Sequence, residues 1–538
     1  MNEHSTGVRR RSAHVLLAAV AGVLGALLLA APGVAGAPAA GCENRTNNTY
    51  DKLLGCVTLE GVRDHQAALQ AIADANGGTR AAGTSGYDAS VDYVVDTLEA
   101  AGWSVEIHLF DFTVAQPIRQ LTPAPPVTHA AGGVNGSALG TVTNQVVPVD
   151  INLVLPRANT SGCDGAFTEA AVGAPLTADP TGPNDFAGFP AGAIALVQRG
   201  GCSFALKVAN AQTAGAAAVI LFNQGDTPAR SVTLANITAV PPAGSAFTTI
   251  TVPVVGTSFA AGELLARPGS TATVAVVNDP QANVIAELEG RNDDNVVMAG
   301  GHLDSVPAGP GINDNGSGSA ALLELAQQIA KLKPENTLRL AWWGGEESGL
   351  VGSTAYVEDL SEAERDQIAL YMNYDMIGSP NYIFMVYDAD QSSFPPPAGV
   401  PIPAGSTAIE DLYESYYTMV GEPYDDTQFS GRSDYQAFIE AGIPSGGLFT
   451  GAEVVKTAEQ QAIWGGTTGA QFDPCYHLAC DTFANNSNHA LGVNSDLVAF
   501  AMLTFAYSTE SVNGVAGRNI PGDLALPAPA GPEGTFVP

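Results

Sequence analysis

The sequence predicts an α/β protein: a mixed, mostly parallel sheet flanked by helices and interrupted by a β-rich α+β insert. Three observations carry this. Short apolar strands alternate with helical patterns over residues 60–112 and again from residue 282, as they do in α/β chains. Between them, from about residue 120 to 275, Pro, Thr, Gly and Val become frequent and short strands follow one another through turns. The chain has 538 residues, 46% hydrophobic and 14% charged, enough for two or three domains with a large core.

In chain order, Arg9, Arg10 and Arg11 precede an apolar stretch from Val15 to Ala31, and Ala37-Pro38-Ala39 follows as a small-residue cleavage site. Residues 1–39 are therefore expected to be an export signal, with a twin-arginine route also open, and the protein to be secreted. No later segment has eighteen uninterrupted apolar residues, so no membrane span is expected after cleavage. Removing three Arg and Glu3 takes the formal charge from −33 to −35. The acidity is spread along the chain, which excludes nucleic acid and anionic membranes as partners, since both need clustered Lys and Arg. It serves solubility, or a mild attraction for cationic peptide termini. Six cysteines in an exported chain imply disulfides. Of the fifteen possible connectivities, sequence-local pairing is the simplest: Cys42–Cys56, Cys163–Cys202 and Cys475–Cys480.

Residues 40–130 read as the first part of the main domain: helix, helix, strand. Val91, Val94, Val95 and Leu98 share a helix face, Gly102 ends that helix, and Val105, Ile107 and Leu109 alternate along a half-buried strand from Ser104 to Phe112. Residues 131–275 form the insert, in which Gly192 to Asn223 reads strand, Gly-Gly turn, amphipathic helix, buried strand. Residues 276–512 return to the main domain. Strands are expected at Val284–Glu287, Val296–Ala299, Thr337–Trp343 and Ile368–Tyr374, with a helix from Ala320 to Lys333 stopped by Pro334. Residues 513–538, rich in Pro, Ala and Gly without periodicity, are expected to be a loosely held tail.

On this frame His302, Glu346-Glu347 and Asp375 each follow the end of a separate strand. In open α/β sheets, sites form beyond the carboxyl ends of strands. The pairs Gly300-Gly301 and Gly344-Gly345 let side chains crowd there, having no Cβ. Neutral imidazoles and carboxylates suit divalent ions such as zinc. Asp304, two residues on, is placed to fix the tautomer of His302. Asp314 immediately precedes a helix, where capping is the ordinary use of Asp, and a lone Glu346-Glu347 pair would ordinarily be a solvated loop. The weight lies in their joint occurrence. His65, His108, His129 and His489 stand in no metal motif and read as surface or packing residues.

The segments GHLDSVPAGPGINDNGSGSAA, WWGGEESGLVGS, NYDMIGSPN and CYHLACD resemble the secreted bacterial leucine aminopeptidases of the co-catalytic zinc peptidase family, from residue 60 to about 510. The Gly192 to Asn223 segment, with Val252 to Val255, resembles the protease-associated (PA) domain found as an insert in such peptidases; Cys163–Cys202 would staple it. The resemblance implies a zinc-peptidase, phosphorylase/hydrolase-like fold, two zinc ions per chain, and peptide substrates with a free N-terminus. His302 and Asp375 would hold one ion and Glu347 and His477 the other, with Asp314 bridging through a cis Asp314-Asn315 peptide. Glu346 would be the general acid/base and Tyr476 the donor to the oxyanion, on a loop clamped by Cys475–Cys480. Met376, Gly431-Arg432 and Phe449 would line the first side-chain pocket, whose apolar character suggests Leu, Met or Phe. A monomer is expected. Relatives hold calcium with carboxylates after the cysteine clamp; here Asp496 is present, but Gly492 stands where an acidic partner is wanted, so calcium stimulation is not expected.

Other readings are a same-fold carboxypeptidase, which would want several arginines where only Arg432 lies in a candidate motif, a single-zinc cyclase-like enzyme, and a non-catalytic binding protein. The presence of all five ligands and the base speaks against the last two. No His-Glu-x-x-His and no Gly-x-Ser-x-Gly occurs, which disfavours single-zinc proteases of that type and serine hydrolases.

Overall fold

A computed structural model describes residues 41–538 apart from 159, 229, 236, 396–399, 523, 534, 537 and 538. The expected export signal, 1–39, lies outside the described residues. The main domain is built on a nine-stranded mixed sheet in the order Ser104–Phe110, Gln281–Leu288, Asn336–Trp343, Asn292–His302, Ile368–Tyr374, Ser445–Phe449, Met385–Tyr387, Asp425–Thr427 and Thr535–Phe536. The four strands from Asn336–Trp343 to Ser445–Phe449 pair parallel, and antiparallel strands flank them. Asn336–Trp343 and Ile368–Tyr374 are buried on both faces, which is why apolar residues follow one another along them without alternation. Successive residues serve opposite layers. Trp342 packs with the helices Leu59–Ala75, Ser85–Ala101, Gly316–Ile329 and Asn488–Tyr507; Trp343 packs with Tyr356 and Phe438 on the other side. The helix Asn488–Tyr507 is long and apolar enough to span a membrane, but its apolar window is 78% buried within the protein.

The helices start and stop where local chemistry directs. Thr58 and Thr84 cap their helices through side-chain oxygens that accept from Gly61 and Tyr87 N–H, and Gly102 ends the second with φ of 98°. Three expectations are corrected. The helix before Pro334 runs Gly316–Ile329, starting and ending four residues early, because the Asn315 side chain accepts from Gly318 N–H and begins it there. The strand Ser104–Phe110 is not half-buried by alternation: Ile107 and Leu109 are 42% and 62% exposed, since the face they share at the edge of the sheet is left largely uncovered. The tail is not loose: Ala530 donates to Thr418 Oγ1, Glu533 donates to the Tyr424 carbonyl, and Thr535–Phe536 adds a strand to the open edge of Asp425–Thr427.

The insert forms its own sheet in the order Val254–Thr257, Ala218–Phe222, Ile194–Gln198, Gly140–Val149, Thr271–Asn278, Ile118–Thr122 and Val127–His129, with Thr113–Ala115 also beside Thr271–Asn278. Its first four strands are parallel and the rest antiparallel. The sheet therefore takes in residues 113–129, ahead of the boundary placed at 131, because Thr271–Asn278 pairs with Thr113–Ala115 and Ile118–Thr122, and the latter pairs with Val127–His129. The helix Phe204–Thr213 follows the Gly-Gly turn as expected. All three sequence-local disulfides are formed.

Candidate metal centre and active site

Three adjacent parallel strands deliver the site. His302 is the last residue of its strand and pairs in register with Trp343, after which Gly344-Gly345 turns the chain into the short 3₁₀ turn Glu346–Ser348. Asp375 directly follows Tyr374 on the next strand. Both glycines of the turn are required: a Cβ on Gly344 would lie 2.2 Å from the Tyr87 hydroxyl, and Gly345 has φ of 69°. Asp314 arrives from the segment before the helix Gly316–Ile329. Because Asn315 performs the capping, the Asp314 carboxylate is left to face the site.

The residues expected to bind metal come together in two groups sharing Asp314: His302, Asp314 and Asp375, and Asp314, Glu347 and His477. The two oxygens of Asp314 divide between them. Oδ1 is 3.2 Å from His302 Nε2 and Oδ2 is 3.3 Å from His477 Nε2. His302 Nε2 is also 3.3 Å from Asp375 Oδ1, and His477 Nε2 is 3.0 Å from Glu347 Oε2. Glu346 belongs to neither group, yet its Oε2 lies 3.8 Å from His302 Nε2. The buried atoms His302 Nε2, Asp375 Oδ1 and Glu347 Oε1 have no hydrogen-bond partner. Buried polar atoms are rarely left so; imidazole nitrogens and carboxylate oxygens converging in this way fit divalent zinc. The Asp314–Asn315 peptide is cis.

The electrostatics point the same way. Burial pushes the Glu346 carboxyl well above the usual carboxylate range; His302 opposes this, while Asp375, Glu347 and Asp434 add to it. Burial and the neighbouring Asp314 push Glu347 up to about 7, against His477 and His302. Burial alone would lower His477, but Asp314 and Glu347 hold it up at about 10. So many carboxylates in one dry cleft call for cations.

Supporting residues are partly as foreseen. His302 Nδ1–H donates to the Asp304 backbone carbonyl at 3.1 Å, while the Asp304 carboxylate is 3.6 Å from Nδ1 and instead accepts from Glu346 N–H at 3.2 Å. Asp304 thus fixes the tautomer through its main chain and steadies the Glu346 turn through its side chain. Several residues went unnoticed in the sequence. The Ser433 hydroxyl donates to Asp375 Oδ2 at 2.6 Å, and its neighbour Arg432 could have drawn attention to it. Asp481 accepts from Asn313 and Asp314 N–H at 2.9 and 3.0 Å; it directly follows the cysteine clamp. Arg80 holds the segment after His302 and stands in no motif.

The cleft, about 310 Å³, is lined by Met376, Tyr387, Phe449 and Leu350 on its apolar wall and by Gly431-Arg432, Tyr476 and the ligand groups elsewhere. Three of its non-glycine residues, Leu350, Met376 and His477, have positive φ. Such strain concentrates at functional sites. Tyr476 stacks on His477, and its hydroxyl accepts from Arg432 Nη2 at 3.2 Å, leaving its own proton to donate. The insert reaches the rim: the Asn135 side-chain amide lies 3.5 Å from where a Cβ on Gly349 would stand. The other histidines among the described residues stay outside: His65 bonds Tyr93, His129 bonds Gln120, His108 faces Asp359 and His489 faces Glu422. Asp388, Asp390, Glu410, Glu414 and Asp426, none of which lines the cleft, also draw together, and Asp496 belongs to no such group among the described residues.

Comparison with known proteins agrees with this architecture. The model of peptidase family M28 matches residues 283–502, and that of the PA domain matches residues 142–265. An aminopeptidase of Pseudomonas aeruginosa is 43% identical over 471 residues, covering 85% of this chain and 83% of its own. A probable leucine aminopeptidase 2 of Aspergillus fumigatus is 38% identical, covering 80% of each chain. Among solved structures, the aminopeptidase from Aneurinibacillus sp. strain AM-1 superposes with a TM-score of 0.52 at 26% identity, covering 88% of this chain and 98% of its own. A zinc aminopeptidase from Bacillus subtilis shares the fold, with a TM-score of 0.58 at 23% identity and coverage of 85% and 98%. The chain belongs to peptidase family M28 and is a metallo-exopeptidase hydrolase with an inserted PA domain.

Proposed function

We propose that this chain is a secreted, zinc-dependent aminopeptidase that removes large apolar residues, Leu-like in size, from the free N-termini of peptides. One observation carries the reading: two groups of candidate ligands share the two oxygens of Asp314, three of their buried atoms have no hydrogen-bond partner, and a carboxylate that belongs to neither group, Glu346, stands beside them. His302, Asp314 and Asp375 would hold one zinc ion, and Asp314, Glu347 and His477 a second. Zinc in such a site polarises a carbonyl and lowers the pKa of water. The aminopeptidase names of the relatives support the reaction class, and the leucine aminopeptidases among them the preference for an apolar first residue.

The residues of the chain do the rest. Glu346, made a stronger base by its dry surroundings, takes the proton of the attacking water and returns it to the leaving amine. Tyr476 O–H hydrogen-bonds the carbonyl oxygen as it gains charge. The carboxylates of Glu346 and Asp375 attract a free ammonium, which accounts for a requirement for an unblocked N-terminus. Met376 and Phe449 receive an apolar side chain. Arg432 is engaged by Glu453 and Tyr476, which weighs against its use to grip a substrate carboxylate, as a carboxypeptidase would need.

The test is hydrolysis of leucine-p-nitroanilide beside its N-acetyl form, before and after chelation and zinc return. Zinc-dependent cleavage of the free-amine substrate alone is expected. Zinc bound in stoichiometric amount with no cleavage of the free-amine substrate would refute the proposal.

A further inference from the structure

Between the strand that ends at His302 and the helix that begins at Gly316, the chain forms no strand or helix, and Pro307, Gly309, Pro310 and Gly311 punctuate it. Its buried carbonyls therefore have no ladder to satisfy them and need other donors. Arg80 supplies three. It sits in the turn between the helices Leu59–Ala75 and Ser85–Ala101, and is 0% exposed. Nε donates to the Pro310 carbonyl at 2.9 Å, Nη2 donates to that of Gly311 at 2.7 Å, and Nη1 donates to that of Leu303. The Arg80 backbone N–H adds a fourth tie, to Ser305 Oγ at 2.9 Å.

These acceptors are not scattered. Leu303 adjoins His302, and Gly311 stands three residues before Asp314. One rigid, planar fork thus joins the two ends of the segment from which two ligands of the same candidate centre depart. A guanidinium can bridge three carbonyls in fixed directions; an ammonium, a point donor on a flexible stem, cannot. A buried cation costs several kcal/mol to desolvate, which a residue that only filled space would not incur. Burial lowers Arg80 to about 10, with Asp304, Asp481 and Asp314 acting against it through space, so the guanidinium stays charged at neutral pH.

We propose that Arg80 is a positioning residue for the metal ligands. Its fork sets the separation of His302 and Asp314, and thereby the zinc affinity of the centre they form with Asp375. The inference rests on the ligand assignment made above.

The experiment compares the full chain with Arg80→Ala and Arg80→Lys, measuring zinc dissociation constants by competition with a chromogenic chelator, kcat and KM, and the melting temperature. Loss of a group that orients a metal ligand weakens metal binding by about 10–100-fold. That loss is expected in Arg80→Ala, with kcat falling more than KM changes, and a smaller loss in Arg80→Lys. Millimolar guanidinium should partly restore zinc affinity to Arg80→Ala while leaving the wild type unchanged. Zinc affinity and kcat at wild-type levels in Arg80→Ala overturn the proposal. If that variant does not fold, Arg80→Lys decides: wild-type zinc affinity there means that a point charge suffices and the fork has no such role. A His302→Ala variant binding zinc as tightly as the wild type would overturn the ligand assignment itself, so the two failures are distinguishable.

Discussion

Replacing Asp481 with Asn tests how Asp314, the candidate shared ligand, is held. In the native chain the two oxygens of Asp481 divide between two backbone donors, Oδ1 taking Asn313 N–H at 2.9 Å and Oδ2 taking Asp314 N–H at 3.0 Å; Oδ1 also accepts from the Asn485 amide at 3.1 Å. Asparagine has the same shape but offers one accepting oxygen and a donor NH₂. Whichever way it turns, one of the two N–H groups loses its acceptor and meets another donor. The Asn485 amide keeps both oxygens of Asp473, so its loss is small. A buried donor left unsatisfied costs about 1–3 kcal/mol, and the misplaced NH₂ adds about 1 kcal/mol, giving about 2–4 kcal/mol against the closed segment. At 1.4 kcal/mol per factor of ten, amides in the segment around 311–316 should exchange hydrogen some 30- to 1,000-fold faster, on the order of this energy. The assay is hydrogen exchange read by mass spectrometry on that peptide, with zinc content measured on the same sample. Unaltered protection with zinc retained would refute the claim that Asp481 pins the Asp314 backbone.

Other outcomes follow from the same geometry. Glu346→Gln should lower kcat by about 10²–10⁴ while leaving the zinc content unchanged, because Glu346 lies outside both ligand groups; parallel kinetics and metal analysis check this. Tyr476→Phe should lose about a hundredfold in kcat, with no loss of metal. In the insert, burial lowers Lys207 to about 7 from 10.5, against Asp185, Glu169 and Asp150. A lysine depressed in the folded state binds its proton more weakly there than in the unfolded chain, so stability rises with pH from about 7 towards 10.5. Lys207→Met should flatten that rise, read as melting temperature from pH 7 to 9; an unchanged slope would show that Lys207 is not its source.

Much of the site was legible because its chemistry sits at strand ends. His302, Glu346-Glu347 and Asp375 each stand at or just past the end of a strand, the first two directly after a glycine pair, and the structure places those strands side by side in parallel register. Asp314 was ambiguous, since a lone Asp before a helix is ordinarily a cap; only Asn315's bond to Gly318 shows that the cap is its neighbour. Local pairing of the cysteines was readable from spacing. The exposure of Ile107 and Leu109 was not, because alternation reports a two-faced strand but not whether anything covers its face. The tail misled for a related reason: Pro- and Ala-rich sequence has no periodicity to read, yet its backbone donors find Tyr424 and an open sheet edge. The insert's sheet also claimed residues 113–129, through strands far apart in sequence.

The sequence alone determined which side chains could meet a cation and where along their strands they stand, because period-2 apolar runs, glycine pairs and caps are local signals. Only the tertiary structure decided which of them meet. That Asp314 turns one oxygen to His302 and the other to His477, that Ser433 holds Asp375, and that Arg80 and Asp481 fasten the segment between two candidate ligands are contacts between residues from a dozen to more than two hundred positions apart. Such contacts leave no periodic trace in the chain, since hydrogen-bond satisfaction in a buried site depends on which elements the packing brings together.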